Sequence, residues 1–269
     1  MRYKIRALGL GGILDQTFTM IKDHLGILLA IMGVLLIPYY LIGGLIQVAV
    51  MPDLPQNPTQ EQVAAATLEA AKFTLPFQLI GVYIIAPITN AALVYAIATA
   101  YLGQPVSLGL AYGKAMGRIL PLLGTWFLVG MAIMGGMILC LIPGILAAFW
   151  FTLATQVVIL EDRAGTGAMS RSRELMRGNI GQLFVLGLLL AIINGGLSIS
   201  AELIPQPHAH AVVVAIVMGI TTILYSTALV VFYFSCRCKL ENFDLALLAA
   251  SVGEKPPTEP MIGDPELQW

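Results

Sequence analysis

Hydrophobic residues in this chain run in long uninterrupted blocks instead of alternating with polar ones. Crossing about 30 Å of hydrocarbon at 1.5 Å per residue takes roughly 20 apolar residues in a helix. The blocks predict spans at about 25–50, 75–102, 119–141, 144–160, 180–201 and 211–236. The uncharged run from Ile119 to Leu160 is too long for one crossing and fits two, with Ile142-Pro143-Gly144 as the expected turn. No block shows the dyad alternation of a barrel strand, and in lipid only helices and closed barrels satisfy their own backbone polar groups.

The cations decide how these spans are threaded. Arg2, Lys4, Arg6 and Lys22 precede the first span, and Lys114 and Arg118 separate the second from the third. Arg163, Arg171, Arg173 and Arg177 separate the fourth from the fifth, and Arg237, Lys239 and Lys255 follow the sixth. Of the 14 Lys and Arg residues, Lys72 alone falls in a loop of the other set. Under the positive-inside rule this predicts six crossings with both termini cytoplasmic.

Before each odd-numbered span the apolar period changes. Leu14, Phe18, Ile21 and Leu25 fall at i, i+4, i+7 and i+11, and Leu108, Tyr112, Ala115 and Ile119 repeat that spacing. Met169, Ser172, Met176 and Ile180 approximate it, with Arg171, Arg173, Glu174 and Arg177 on the polar side. Each stripe predicts an amphipathic helix at the cytoplasmic interface, its apolar face toward the acyl boundary. The expected fold class is an all-α integral membrane protein, six transmembrane helices as three hairpins, each preceded by such a helix. Residues 1–252 form that domain. Between Met51 and Lys72 the external loop begins Pro-rich and continues from Thr59 as a short helix. Leu240, Phe243 and Leu247 suggest a last cytoplasmic helix, and 253–269, rich in Pro and acidic residues, reads as a disordered cytoplasmic tail.

Composition agrees with a lipid environment: 58% of residues are hydrophobic and 11% charged, against roughly 25% charged in soluble proteins. Cys140, Cys236 and Cys238 give no disulfide framework and read as free thiols. The apolar stretch after Arg6 ends at Asp15 without a small-residue cleavage signature, so no cleaved signal peptide is expected.

Candidate chemistry is sparse. The spans hold no charge; their polar side chains are Gln47, Gln78, Asn90, Gln156, Gln182, Asn194 and scattered hydroxyls, with Glu202 at an outer end. Ion-coupled transport would call for an acidic residue or His near the midplane. Asn90 and Asn194 serve interhelical hydrogen bonds or line a polar path, the first being the commoner use. Ala132 with Gly136, and Gly196 with Ser200, have the spacing of close helix contacts, while Pro38 and Pro87 are kinks that membrane helices tolerate. His208 and His210 near Glu202, and Cys236 with Cys238, each fall short of a metal-ligand set, so neither metal nor cofactor is expected. Asp15, Asp23, His24 and Asp162 are the interfacial groups an intramembrane enzyme could use if two of them converged. Lys114, Arg118, Arg171, Arg173 and Arg177 are the candidates for binding anionic lipid headgroups, each worth about 1 kcal/mol near a membrane surface.

Gly12-Ile-Leu-Asp15-Gln-Thr-Phe18, Arg171-Ser-Arg173-Glu-Leu-Met-Arg177-Gly-Asn179 and Glu241-Asn-Phe243-Asp-Leu-Ala-Leu-Leu248 resemble a broad set of bacterial six-span proteins. That set is similar to the membrane domain attached to some glycerophosphoryl diester phosphodiesterases. The resemblance spans nearly the whole chain and implies a bacterial cytoplasmic-membrane protein. It transfers no catalytic residue, because the alternating strands and helices of the phosphodiesterase barrel are absent. The expected function is therefore a non-enzymatic multi-pass module that associates with membrane lipids or with a protein at its cytoplasmic face, and not with nucleic acid. The alternative is a channel or carrier for a neutral or amphiphilic solute passing near Asn90 and Asn194.

Overall fold

A computed structural model describes residues 3, 5–50, 59–202 and 206–252. The expected tail at 253–269 and the Pro-rich stretch at 51–58 lie outside the described residues. Those described form α1 (Leu10–Val50), α2 (Gln60–Ile80), a π-helical turn (Gly81–Ile85), α3 (Ala86–Tyr101), α4 (Leu108–Gly117), α5 (Ile119–Leu139) and α6 (Leu141–Trp150). They continue with α7 (Ala154–Leu160), α8 (Gly165–Met176), α9 (Ile180–Glu202), α10 (Pro207–Glu241) and α11 (Phe243–Val252). Six stretches are long and apolar enough to cross a membrane, and the protein is a multi-pass membrane protein.

Three times a short helix breaks into a long apolar one. In α1 the break is at His24, whose backbone (φ −120°, ψ 17°) leaves the helical region. Ser107 caps α4 by accepting from Leu110 N–H at 3.2 Å, and α4 ends at Arg118 (φ −115°, ψ 13°), where α5 starts. Gly178, at φ 76°, supplies the left-handed turn between α8 and α9 that a β-carbon would oppose.

The apolar stripes face differently from one short helix to the next. On α4 the stripe turns inward: Ala115 is buried and Tyr112 donates to the Ile31 carbonyl of α1 at 2.6 Å. On the first part of α1, Phe18 and Leu25 point outward, and the inward face is Ile13, Gln16, Thr17 and Met20. On α8 the buried face is Ala168, Arg171, Ser172, Leu175 and Met176, which moves Arg171 off the polar side. The reason is tertiary: a polar residue can face inward where a partner waits, as Tyr101 does for Gln16.

Three boundaries also differ from expectation. The loop helix beginning at Thr59 is not separate; with the π-turn and α3 it makes one continuous helix of 42 residues, Gln60–Tyr101. Thr59 and Gln62 form a reciprocal capping box at its start, and the Ala-rich sequence after it offers no reason to stop. The π-turn sits directly before Pro87, whose ring would strike the Tyr83 carbonyl in a regular α-helix; the wider turn, closed by Ala86 N–H on the Gly81 carbonyl, gives that carbonyl room. The turn between the third and fourth spans lies at Cys140, in extended conformation, and not at Ile142–Gly144. Pro143 belongs to the first turn of α6, where a missing N–H costs nothing. Gly144 faces Gly136 there so closely that a β-carbon on Gly136 would lie 2.8 Å from the Gly144 Cα. Finally, the fourth span breaks at 151–153 into α6 and α7.

Packing is uneven. α1 and α10, the first and last spans, share the most extensive contact. With α3 and α7 they enclose the core, which includes Ile13, Leu28, Ile97, Val158, Phe232 and Tyr233. Tyr3, Tyr101, Phe234 and Phe243 stack in series, at centroid separations of 5.6, 5.3 and 5.7 Å, where the N-terminal segment meets α3, α10 and α11. By contrast α5 and α9 expose apolar side chains along most of their length, among them Phe127, Met131, Ile138, Leu188 and Ile192.

Candidate functional site

Among the described residues, the Lys and Arg residues other than Lys72 gather at one end of the bundle, the basic end, in two arrangements of opposite character. The first is closed. Glu161, at the end of α7, accepts from Arg171 Nε and from Tyr233 Oη, each at 2.8 Å. Arg171 also donates to Glu174 at 3.1 Å and to Glu241, and Glu241 in turn accepts from Arg237 Nε at 2.9 Å. The Arg237 guanidinium lies 4.3 Å from the centre of the Phe243 ring. Arg163 adds a longer pairing to Glu161 at 3.8 Å. Three carboxylates and three guanidiniums thus join α7, α8 and α10.

Arg171 is 6% exposed. Burial alone would lower its pKa, but the charge of Glu161 and the hydrogen bonds Arg171 donates to Glu161 and Glu174 outweigh that and raise it above its ordinary value. A raised pKa means its stabilising contribution is complete at neutral pH and is lost only in strong alkali. Its Nε, Nη1 and Nη2 are each engaged by a carboxylate of the protein itself.

Lys114 and Arg118 are also taken up. Both reach the Asp162 carboxylate, Lys114 at 3.4 Å and Arg118 by a close ion pair. Asp162 has φ 55°, a left-handed conformation that Asp tolerates better than most side chains. Of the groups weighed for an intramembrane enzyme, Asp162 therefore faces cations, Asp23 accepts from Tyr3 Oη at 3.1 Å, and Asp15 is exposed.

The second arrangement is open. Arg173 is exposed with its guanidinium 4.3 Å from the Trp150 ring centre, and Arg177 is exposed at the turn into α9. Lys239, in the last turn of α10, donates to Asn179 Oδ1 at 3.0 Å and to Gln182 Oε1 at 2.6 Å. Those two amides are themselves fixed. Asn179 donates to the Leu175 carbonyl at 3.0 Å, and Gln182 donates to the Leu8 carbonyl at 3.0 Å. Leu8 N–H is held by Ser235 Oγ at 2.9 Å. Among the described residues, Arg173, Arg177 and Lys239 have no carboxylate within ion-pair distance, and Arg6 and Lys22 are exposed cations of the same end. Sequence reading missed Lys239 as a site residue, since Asn179 and Gln182 lie about 60 positions away.

A family described as a domain of unknown function, DUF8558, matches residues 119–251, just under half of the chain. The matched segment runs from α5 into α11, so it contains both arrangements except Arg6, Leu8, Lys22, Lys114 and Arg118. No curated protein and no solved structure matches the chain.

Among the other candidates, Asn90 and Gly136 serve packing. Asn90 accepts from Ser226 Oγ at 3.3 Å, an α3–α10 hydrogen bond of the interhelical kind. Asn194 is exposed on α9. Gly136 makes a close contact, with Gly144 of α6, whereas a β-carbon at Gly196 would meet nothing within 4 Å. Gln156 is 1% exposed, and its Oε1 has no hydrogen-bond partner among the described residues. Cys140 is exposed, Cys236 and Cys238 are buried, and all three are free thiols. Glu202 and His208, weighed with His210, have side chains outside the described residues. One apolar cleft of about 230 Å³ opens between the π-turn and α5, lined by Tyr83, Ile84, Pro87, Leu123, Trp126 and Phe127.

Proposed function

We propose that this protein is a non-enzymatic multi-pass module of the cytoplasmic membrane, whose basic end faces the cytoplasm and associates with anionic lipid. The observation that carries the reading is the division of its cations. Lys114, Arg118, Arg171 and Arg237 are paired with carboxylates, Lys114 and Arg118 sharing one, while Arg173, Arg177 and Lys239 keep their charge uncompensated where the spans emerge. Cations left in that position attract anionic headgroups by about 1 kcal/mol each. The positive-inside rule assigns the same end to the cytoplasm.

The test is reconstitution into nanodiscs of mixed phosphatidylcholine and phosphatidylglycerol, followed by mass spectrometry of the lipid that stays with the protein after detergent extraction. Wild type should retain an excess of phosphatidylglycerol, and the triple variant Arg173→Gln, Arg177→Gln, Lys239→Gln should lose most of it. Identical lipid composition in the two would defeat the reading.

A further inference from the structure

We infer that the α5–α6 hairpin does not cross the bilayer: it enters from the basic end, turns at Cys140 among the acyl chains and returns, so its apolar surface is an interaction face for the chains of one leaflet. The return limb sets the depth. At its last residue the Trp150 carbonyl accepts from Ser172 Oγ at 2.7 Å, and the exposed Arg173 guanidinium lies 4.3 Å from the Trp150 ring centre. Phe149 lies 6.2 Å, ring to ring, from Phe184 in the second turn of α9. A charge in hydrocarbon is costly, so an exposed guanidinium stands at or outside the membrane surface, and Trp150 stands with it. From Trp150 back to the turn α6 has 10 residues, about 15 Å of helix and half of a hydrocarbon core of about 30 Å. Snorkelling of Arg173 adds only the length of one side chain to that reach. α9 starts from the same level and runs for 23 residues, long enough to cross.

The outgoing limb agrees. The first part of α5 belongs to the packed basic end, where Thr125 Oγ1 accepts from Gly165 N–H at 2.8 Å and Trp126 Nε1 donates to Thr155 Oγ1 at 2.9 Å. Beyond that part α5 lies against α6, with Gly136 on Gly144, and neither limb has an extensive contact with α1 or α10. The tip suits hydrocarbon. From Phe127 to Phe151 no side chain is charged and none is an amide or a hydroxyl. Ile138, Leu139, Leu141 and Ile142 are 83, 83, 65 and 70% exposed. The sequence joining the first two spans holds Asp53, Gln56 and Asn57, and that joining the last two holds Glu202, Gln206, His208 and His210. Backbone laid bare in lipid is costly, and this turn bares little. Cys140 is its one non-helical residue, the Cys140 N–H bonds the Gly136 carbonyl at 3.0 Å, and Pro143 has no N–H to satisfy. A hairpin that returns to its own side leaves Lys and Arg distributed as six crossings would.

Cys140 supplies the test, because it is a free thiol that the protein itself leaves exposed, so only lipid can shield it. The full chain in phosphatidylcholine nanodiscs, both faces of which are open to solvent, carries a nitroxide on Cys140. Its collision rates are read with oxygen, which concentrates in hydrocarbon, and with a water-soluble nickel chelate. Cys140→Ser gives the background from the buried Cys236 and Cys238, and in that variant Ile145→Cys and Ile142→Cys report along the return limb. Glu61→Cys and Asp15→Cys, both at exposed positions, are the aqueous references. Nickel collisions at Cys140 should be about tenfold below those at either reference. The oxygen-to-nickel ratio should rise from Ile145→Cys through Ile142→Cys to Cys140, with the tip the deepest point. A full crossing would make the ratio fall toward the tip, and that result, or nickel access at Cys140 equal to that at Glu61→Cys, would overturn the inference. Neither result bears on which headgroups the basic end retains, so the two readings fail separately.

Discussion

The two cation arrangements lie within a few residues of each other on α8 and α10, yet they are built on opposite principles. Around Arg171 every guanidinium meets a carboxylate, and the cluster welds α7, α8 and α10 together. Around Lys239 the partners are neutral amides and a backbone turn. Ion pairing locks a cation into the fold, whereas amide contacts hold it in position and leave its field intact. Sequence position does not separate the two kinds, since Arg171 and Arg177 share one segment.

The largest effect should come from opening the closed cluster. Arg171→Gln strands Glu161 and Glu241 with few donors, and breaking a buried pair by removing one partner costs about 3–5 kcal/mol. Thermal unfolding in detergent should show this as a large fall in midpoint, and a variant as stable as wild type would mean the cluster is not closed. Tyr233→Phe removes one donor from Glu161 and should cost about 1.5–3 kcal/mol. Its effect should be non-additive with Glu161→Gln in a double-mutant cycle on the same measurement. Asp162→Asn turns the comparison around. Asn tolerates the left-handed backbone at this position, so the main consequence is to free Lys114 and Arg118, at a cost of about 1 kcal/mol for partly exposed pairs. Retention of phosphatidylglycerol should then rise above wild type; a fall would show that those cations do not reach lipid even when released. Arg177→Gln should be the smallest in stability, within about 0.5 kcal/mol, while still changing the lipid response.

The spans were legible because long apolar runs and loop cations are local signals. All six appear as helices, and the break at Arg118 falls where the stripe ending at Ile119 meets the third span. What was not legible depends on distant partners. Arg171 reads as a surface cation until Glu161 and Glu241 are placed beside it, and Lys239 reads as a topology marker until Asn179 and Gln182 close around it. The same reason explains the stripe on α1. Gln16 and Thr17 carry polar atoms, so a pattern built on hydrophobicity turns them outward, but Tyr101 and the Ile13 carbonyl satisfy them inside. Turn placement failed for a different cause: Pro143 and Gly144 are turn formers by type, yet here they serve helix initiation and close helix contact.

The unbroken rod from Gln60 to Tyr101 imposes a dimension on whatever surrounds it. Its 42 residues extend about 63 Å, roughly twice the thickness of the oily layer. A helix of that length exceeds the oily layer, so the turns bearing Glu61, Glu69 and Lys72 make a stalk continuous with the second crossing. A single helix carries both parts, with Pro76 and the π-turn set between the stalk's tip and Tyr101 with its ring stack.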